Sequence, residues 1–470
     1  MPSIDINDLP PEILEDIFLL STQSVSDGRN PYQAPARTIS NLSSWSNPSV
    51  NPIILGRVCW YWRRVALSLH TLWANISILS PSNKDVSSLR LWLERSGTQI
   101  PLRLWIVEEK DYWDILPAPT VVQDILSQVL QVRHRWELLH LEVILAPQIQ
   151  EYLDGNISNG VANALKTVSW CWDKSKSPDG AFLTRLWKHL ISPSLQHIRC
   201  ERFPALWSSI NLQQLVELDI QELEVDTLIT LLPSFFNLKV IKVRDLLEAG
   251  NGWAFPDNQI RLGSLKYLLI HKIRIVMVDL PRLLDLLITP MLEGVSIKFG
   301  CSSTELVEIA LSIENLIIRS DATKQLRHII LNKSSMSRGL LSVEDDILTR
   351  LFKSPALSSV RTISTNYYAR DGAISTLVLA PNFQFIPDLT YLTAMHCCIS
   401  DDIITGFMNS RVPKIRHTRF YQSKRLFKHT NLQSLELPGM RTVVSEFCGS
   451  FLARFHSIDH WVWPTEPRMN

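Results

Sequence analysis

LVELDI (Leu215–Ile220), LKVIKV (Leu238–Val243), LKYLLI (Leu265–Ile270) and LEGVSI (Leu292–Ile297) follow one another through the middle of the chain, each with an apolar residue at its first, fourth and sixth positions. Alternation over the last three positions is that of a strand with one buried face. The same hexapeptide pattern opens at Trp136, Leu165, Leu195, Leu326, Leu357, Leu389 and Leu432, mostly 20 to 34 residues apart. Between the copies lie segments of helical period: 122–132, 182–191, 226–232, 283–288, 305–313, 345–352 and 401–408. A short strand alternating with a helix at this spacing is the leucine-rich-repeat pattern, in which units too small to bury their own leucines must stack. The expected fold class is α+β or α/β: a small all-α domain over 1–80, a connecting segment over 81–134 and an irregular leucine-rich-repeat solenoid, a horseshoe, over 135–470. The Asn or Cys that sharpens the repeat at its ninth position is mostly absent, since Leu223, Ile273 and Met440 stand there and only Cys397 fits. Some other α/β arrangement of the same segments stays open.

The chain has 470 residues, more than one core usually organises. Hydrophobic residues at 46% and charged residues at 20% exclude wholesale disorder. Lys+Arg 47 against Asp+Glu 46 provides no whole-surface attraction for nucleic acid or anionic membrane. The start, MPSIDINDLPPEILEDIF, has acids where a secretory signal needs a basic region. The most apolar stretch, Tyr267 to Ile288, is broken by His271, Lys272, Arg274, Asp279, Arg282 and Asp285, so no membrane span is expected. Seven cysteines without paired spacing read as reduced thiols, and the expected location is cytoplasmic or nuclear.

The first eighty residues read as short helices. Leu9-Pro10-Pro11-Glu12 places prolines and an acid where a helix starts, and Ile13, Leu14, Ile17, Phe18 and Leu20 follow. Residues 21–52 are rich in Ser, Asn and Pro and read as a long loop. Leu55, Cys59, Trp62, Ala66 and Leu69 then recur at spacings of four and three, and Leu72-Trp73 closes the segment.

In order and spacing, these residues, with Val58, Arg63, Val65 and Leu67, resemble the F-box, and more closely the F-box-like proteins of basidiomycete fungi. LRLWLERSGTQIPLRLWI (Leu89–Ile106) is similar to the segment that follows the F-box in that group. The resemblance covers about the first quarter of the chain. It implies a substrate-recognition subunit of an SCF-type (Skp–cullin–F-box) ubiquitin ligase, docking on the Skp adaptor while the repeats hold the protein to be ubiquitinated. Carried over residue by residue, it places Leu9, Pro10, Ile13, Ile17, Val58, Trp62 and Val65 at the adaptor or in the core that holds that surface, Trp62 foremost among the structural ones. The alternative is a protein-interaction scaffold without ligase association.

Motifs for nucleotide-binding loops, nucleophile elbows and zincins are absent from the sequence, and no enzyme activity, cofactor or metal is expected. His396-Cys397-Cys398 with Asp401 and Asp402 could imitate a thiol–imidazole pair. Adjacent strand residues point to opposite faces, however, so Cys397 reads as core and Asp401 as a helix start. A basic run, Arg411, Lys414, Arg416, Arg419, Lys424, Arg425 and Lys428, could meet an anion or simply be a solvated face. Alternation along the strands turns Glu217 and Asp219, Lys242 and Arg244, Tyr267 and His271, and Ser296 and Lys298 outward, a mixed surface suited to a protein substrate. Most of the fifteen tryptophans should fill core.

Overall fold

A computed structural model of the chain describes residues 9–22, 42–43, 52–108, 119–143, 162–170, 192–202, 211–250, 253–271, 273–274, 279–299, 303–333, 341–381, 384–411, 414–415 and 417–422. They fall into two compact units, one holding the described residues before Leu212 and the other those from Leu212 on.

The first unit begins with α1 (Pro11–Thr22), β1 (Leu42–Ser43), α2 (Pro52–Leu55) and α3 (Trp60–Ser68). It continues with β2 (Asn75–Leu79), α4 (Asn83–Arg95), β3 (Leu102–Val107), α5 (Pro119–Gln131), β4 (Trp136–Glu142), β5 (Thr167–Trp170) and β6 (His197–Arg202). β1 lies antiparallel on β2, and β2 to β6 are parallel in chain order. The helix starts follow local chemistry. Pro11 opens α1 where its missing N–H costs nothing, and Asp85 accepts the Ser82 N–H at 2.8 Å to cap α4, a contact worth about 1 kcal/mol. α5 buries Val121, Val122, Ile125, Leu126 and Val129, one face at helical spacing. Trp73, Trp92, Trp105, Trp136 and Trp170 are all buried, as expected of core filler.

The second unit contains β7 (Glu217–Glu224), α6 (Val225–Leu231), β8 (Val240–Leu247), β9 (Ile260–Arg261), β10 (Tyr267–His271), β11 (Ile273–Arg274), α7 (Asp279–Leu286), β12 (Leu287–Ile288) and β13 (Gly294–Phe299). Then come α8 (Ser303–Arg319), β14 (His328–Lys333), α9 (Leu341–Phe352), β15 (Thr362–Arg370), α10 (Asp371–Ser375), β16 (Tyr391–Cys398), α11 (Asp401–Arg411) and β17 (His417–Gln422). The strand order is β7-β8-β10-β13-β14-β15-β16-β17, with β11 beside β8 and a separate β9–β12 pair. Register brings Leu218, Ile241, Leu268, Val295, Ile329, Ile363 and Leu392 into one buried row. Leu215, Leu238, Leu265, Leu292, Leu326 and Leu389 are buried as well, each at the turn entering its strand: the N–H of Leu265 bonds Leu262 O at 3.3 Å and that of Leu292 bonds Thr289 O at 3.1 Å.

The expected architecture is corrected here. Instead of a small all-α F-box domain over 1–80 followed by a leucine-rich-repeat horseshoe, the described residues form an α/β fold with thirteen parallel strands and helices between them. The parallel strands begin inside the first eighty residues, at β2, close behind α3, and β3 runs through the expected connecting segment. The reason is that apolar residues at the first, fourth and sixth positions are what any parallel strand needs when one face is covered by helices. The pattern therefore reports a strand and its buried face, but not the assembly the strands make. The copy at Leu432 and the helical segment 182–191 lie outside the described residues, as does most of the loop 21–52.

Two devices recur where helices and strands meet. Acids near helix starts hold the backbone of the next strand's exit: Asp226 accepts Gly250 N–H (3.2 Å), Glu344 accepts Tyr368 N–H (2.8 Å), Asp345 accepts Ala373 N–H (3.1 Å) and Asp371 accepts Ser400 N–H (2.6 Å). Gly372 lies so close to the Asp345 carboxylate that any side chain there would collide with it. Arginines after helices clip carbonyls of the preceding layer: Arg135 to Ile100 O (3.0 Å) and Ser96 Oγ (2.7 Å), Arg319 to Leu284 O (2.8 Å), and Arg411 to Leu377 O (2.7 Å), Ile386 O (2.8 Å) and Phe385 O (3.0 Å).

Candidate functional site: an exposed apolar surface on the N-terminal helices

Twelve large apolar side chains are exposed among the described residues, and eight of them lie between Ile13 and Leu67. α1 explains how. Leu14 and Phe18, four apart, are fully buried, while Ile13, Ile17 and Leu20 form a second apolar stripe at spacings of four and three that faces solvent, Leu20 being 68% exposed. Ile53 and Ile54 on α2, Val58 in the following turn, and Trp60 and Leu67 on α3 complete the set, with Trp60 70% exposed and the Arg64 guanidinium 5.4 Å from its ring. Concentrated apolar exposure of this kind is a recognised feature of interaction surfaces, and it makes these helices the candidate site.

The structure divides the residues expected at an adaptor into two groups. Pro10, Ile13, Ile17 and Val58 are exposed. Leu9 is half-buried, and its carbonyl accepts the Tyr61 hydroxyl at 2.9 Å. Trp62 is half-buried against Phe18, with ring centroids 5.0 Å apart, and Val65 is buried, so these two support the surface from beneath. Leu20, Ile53, Ile54, Trp60 and Leu67 were not among the expected residues. For Leu20 the signal in the sequence is that α1 is apolar on more than one face, but spacing alone cannot say which stripe turns inward. Cys59 does not continue a helical face. It caps α3, its sulfur receiving Trp62 N–H at 3.4 Å.

The residues expected to hold a substrate lie on one face of the second unit's sheet. Register places Asp219 beside Lys242, and Lys242 beside Leu269. Asp219 is buried, with Lys242 Nζ at 3.6 Å and Arg244 Nε at 3.4 Å, so it positions the two cations rather than offering itself to a partner. Glu217, Lys242, Arg244, Tyr267 and His271 are half-buried. The Tyr267 hydroxyl donates to Glu293 at 2.9 Å and Lys266 to the same carboxylate at 2.6 Å. Burial pushes Glu293 upward, but those two hydrogen bonds and the Lys266 charge outweigh it and hold the carboxyl below its usual range.

A polar row in the first unit went unnoticed in the sequence. Ser77, Trp105, His140, Ser169 and Arg199 stand side by side on β2 to β6. The His140 ring stacks on Trp105 at 3.5 Å and 13°, its Nδ1 is 2.8 Å from Ser169 Oγ, and its Nε2 is 3.9 Å from Glu142. Serine, histidine and glutamate are the residue types of nucleophilic catalysis. Here Ser169 and His140 are both buried, and the gap to Glu142 exceeds a hydrogen bond. The row knits the strands together.

Burial lowers the His140 pKa, Glu142 partly opposes the shift and Arg199 adds to it. An unfolded chain takes up this proton near the ordinary value of about 6.5. Below that pH the unfolded state therefore binds more protons than the folded one, and stability falls as pH drops from about 6.5 through the lower folded value, by up to about 1.4 kcal/mol per pH unit. Thermal unfolding followed from about pH 7.5 to 5 should show this slope in the native chain and a flatter profile in His140→Gln. Equal profiles would refute the assignment.

In the 396–398 stretch Cys397 is buried and Cys398 exposed, the opposite orientations that strand alternation requires, and α11 begins at Asp401. The side chain of His396 lies outside the described residues. Burial, and after it Cys398, raises the pKa of the neighbouring Tyr368 phenol. The basic run loses its first member as a surface group because Arg411 is buried. Lys414 pairs with Asp388 at 3.5 Å, and Arg416, Lys424, Arg425 and Lys428, with the side chain of Arg419, lie outside the described residues. Among the described residues no group of three or more His, Cys, Asp or Glu could hold a metal, and no helix is long and apolar enough to cross a membrane. No protein-family model matches this chain, and no curated protein matches it either.

Proposed function

We propose that the protein is a non-enzymatic adaptor of an SCF-type ubiquitin ligase, in which α1 to α3 dock on the Skp adaptor and the outward strand face of the second unit recruits the protein to be ubiquitinated. The observation that carries the reading is the exposed apolar surface of Ile13, Ile17, Leu20, Ile53, Ile54, Val58, Trp60 and Leu67. It lies on the same helices whose residues resemble the F-box. An apolar surface of this kind gains by burial against a partner, at roughly 25 cal/mol per Å². The ligase chemistry would be supplied by other subunits. This chain would contribute proximity, converting a dilute encounter between substrate lysine and ubiquitin-charged enzyme into an effectively intramolecular one.

Co-expression with a Skp adaptor, comparing the native chain with Ile13→Asp/Ile17→Asp, tests the proposal. Both positions are solvent-facing, so the double variant should keep the native circular dichroism spectrum. Two carboxylates forced into an apolar interface cost several kcal/mol, and the stoichiometric complex formed by the native chain should be lost. A native chain that folds but does not bind would leave an interaction scaffold in place of a ligase subunit.

A further inference from the structure

In the second unit a cavity of about 550 Å³ opens between the end of α6 and β9, lined by Ile229, Pro233, Trp253, Pro256 and the backbone segment from Asn258 to Arg261. That volume lies within the roughly 300–1,000 Å³ usual for binding pockets. Three features define its occupant.

The first is an unpaired strand edge. Among the described residues β9 pairs only with β12, Ile260 opposite Leu287 and Arg261 opposite Ile288. The Leu262 N–H bonds Ile288 O at 2.9 Å, and backbone groups alternate between edges along a strand. The amide and carbonyl of Arg261 therefore point away from β12, as do those of Gln259, and this bank of the cavity offers hydrogen bonds to another extended chain. The second is an apolar bank: Ile229 and Pro233 face the edge, and Trp253, braced by Phe255 at 4.9 Å and 67°, presents a half-exposed indole. Such an indole is a good anchor for an apolar side chain. The third is charge. Arg261, the one charged residue among those lining the cavity, is exposed and makes no ion pair with a described residue.

We propose that this cavity binds an extended acidic peptide segment, which adds to the free edge of β9, sets an apolar side chain against Trp253 and brings a carboxylate to Arg261. The site is separate from the helices proposed to meet the Skp adaptor and does not depend on that reading.

Phage-displayed random dodecapeptides panned on the full chain, with counter-selection on Trp253→Ala/Arg261→Glu, test it. The enriched sequences should combine an aromatic or aliphatic residue with nearby Asp or Glu. Synthetic copies should bind the native chain at least about tenfold more tightly than the Arg261→Glu variant, whose fold is checked by circular dichroism. N-methylation at every second backbone nitrogen should weaken binding by a similar factor, because it removes the donors that pair with the edge. No enrichment over the variant, enrichment of basic or wholly apolar sequences, or affinity indifferent to N-methylation at every position would overturn the proposal.

Discussion

Arg411→Ala is expected to destabilise the second unit by roughly 3–5 kcal/mol, because it strands three carbonyls, two of them buried, and removes a filled volume. The Arg411 side chain, 1% exposed, donates from Nε to Leu377 O at 2.7 Å, from Nη1 to Ile386 O at 2.8 Å and from Nη2 to Phe385 O at 3.0 Å, and lies 5.5 Å from the centre of the Phe407 ring. Burial lowers its pKa to about 10, which leaves it protonated at neutral pH, so the bonds are charge-assisted. A buried cation held only by carbonyls is costly to install, and its net worth is smaller than the loss on removal. Lysine keeps the charge but not the planar fork that reaches three acceptors, so Arg411→Lys should recover only part of the stability. Urea unfolding of the native chain and both variants measures the difference. An alanine variant within about 0.5 kcal/mol of the native chain would mean that these carbonyls find other partners.

Leu268→Ala should cost about 2–5 kcal/mol, while Leu269→Ala, one residue further along the same strand, should cost much less. Leu268 is buried in the row between Ile241 and Val295, where neighbours on both adjacent strands leave no room for the cavity to collapse. Leu269 faces the opposite side and is half-buried between Lys242 and Ser296. The ratio of the two effects tests the period-two assignment directly. Similar losses at both positions would mean that the strand is equally buried on both faces.

Several parts of the fold were legible because they depend on near neighbours in the chain. The described leucine-bearing hexapeptides each run into a strand except the copy at Leu357, of which only Thr362 lies in β15, and the helical segments at 226–232, 305–313, 345–352 and 401–408 fall on α6, α8, α9 and α11. The opposite orientations of Cys397 and Cys398 follow from the pleat alone. The fold class was not legible. Hexapeptides at a recurring interval pointed to a named repeat architecture behind an all-α domain, whereas the parallel strands begin at β2, whose sequence NISIL carries no copy of the pattern. The candidate surface was partly legible: Ile13, Ile17 and Val58 face solvent, but Val65 does not, and Trp60, the most exposed large apolar side chain among the described residues, was missed.

By itself the sequence determined which of the repeated hexapeptides lead into strands and which faces of those strands are apolar. These are local quantities, set by a period of 2 or 3.6 residues along one chain. Tertiary structure alone decided which of two apolar stripes on α1 stays in solvent, because Phe18 meets Trp62 only after α1 and α3 pack. It also decided that Asp219 lies buried between two cations and that Arg411 is an internal clip rather than part of a basic surface. In each case the deciding partner lies more than 20 residues away, and the energy of a charge or an apolar side chain depends on how much water those distant neighbours remove.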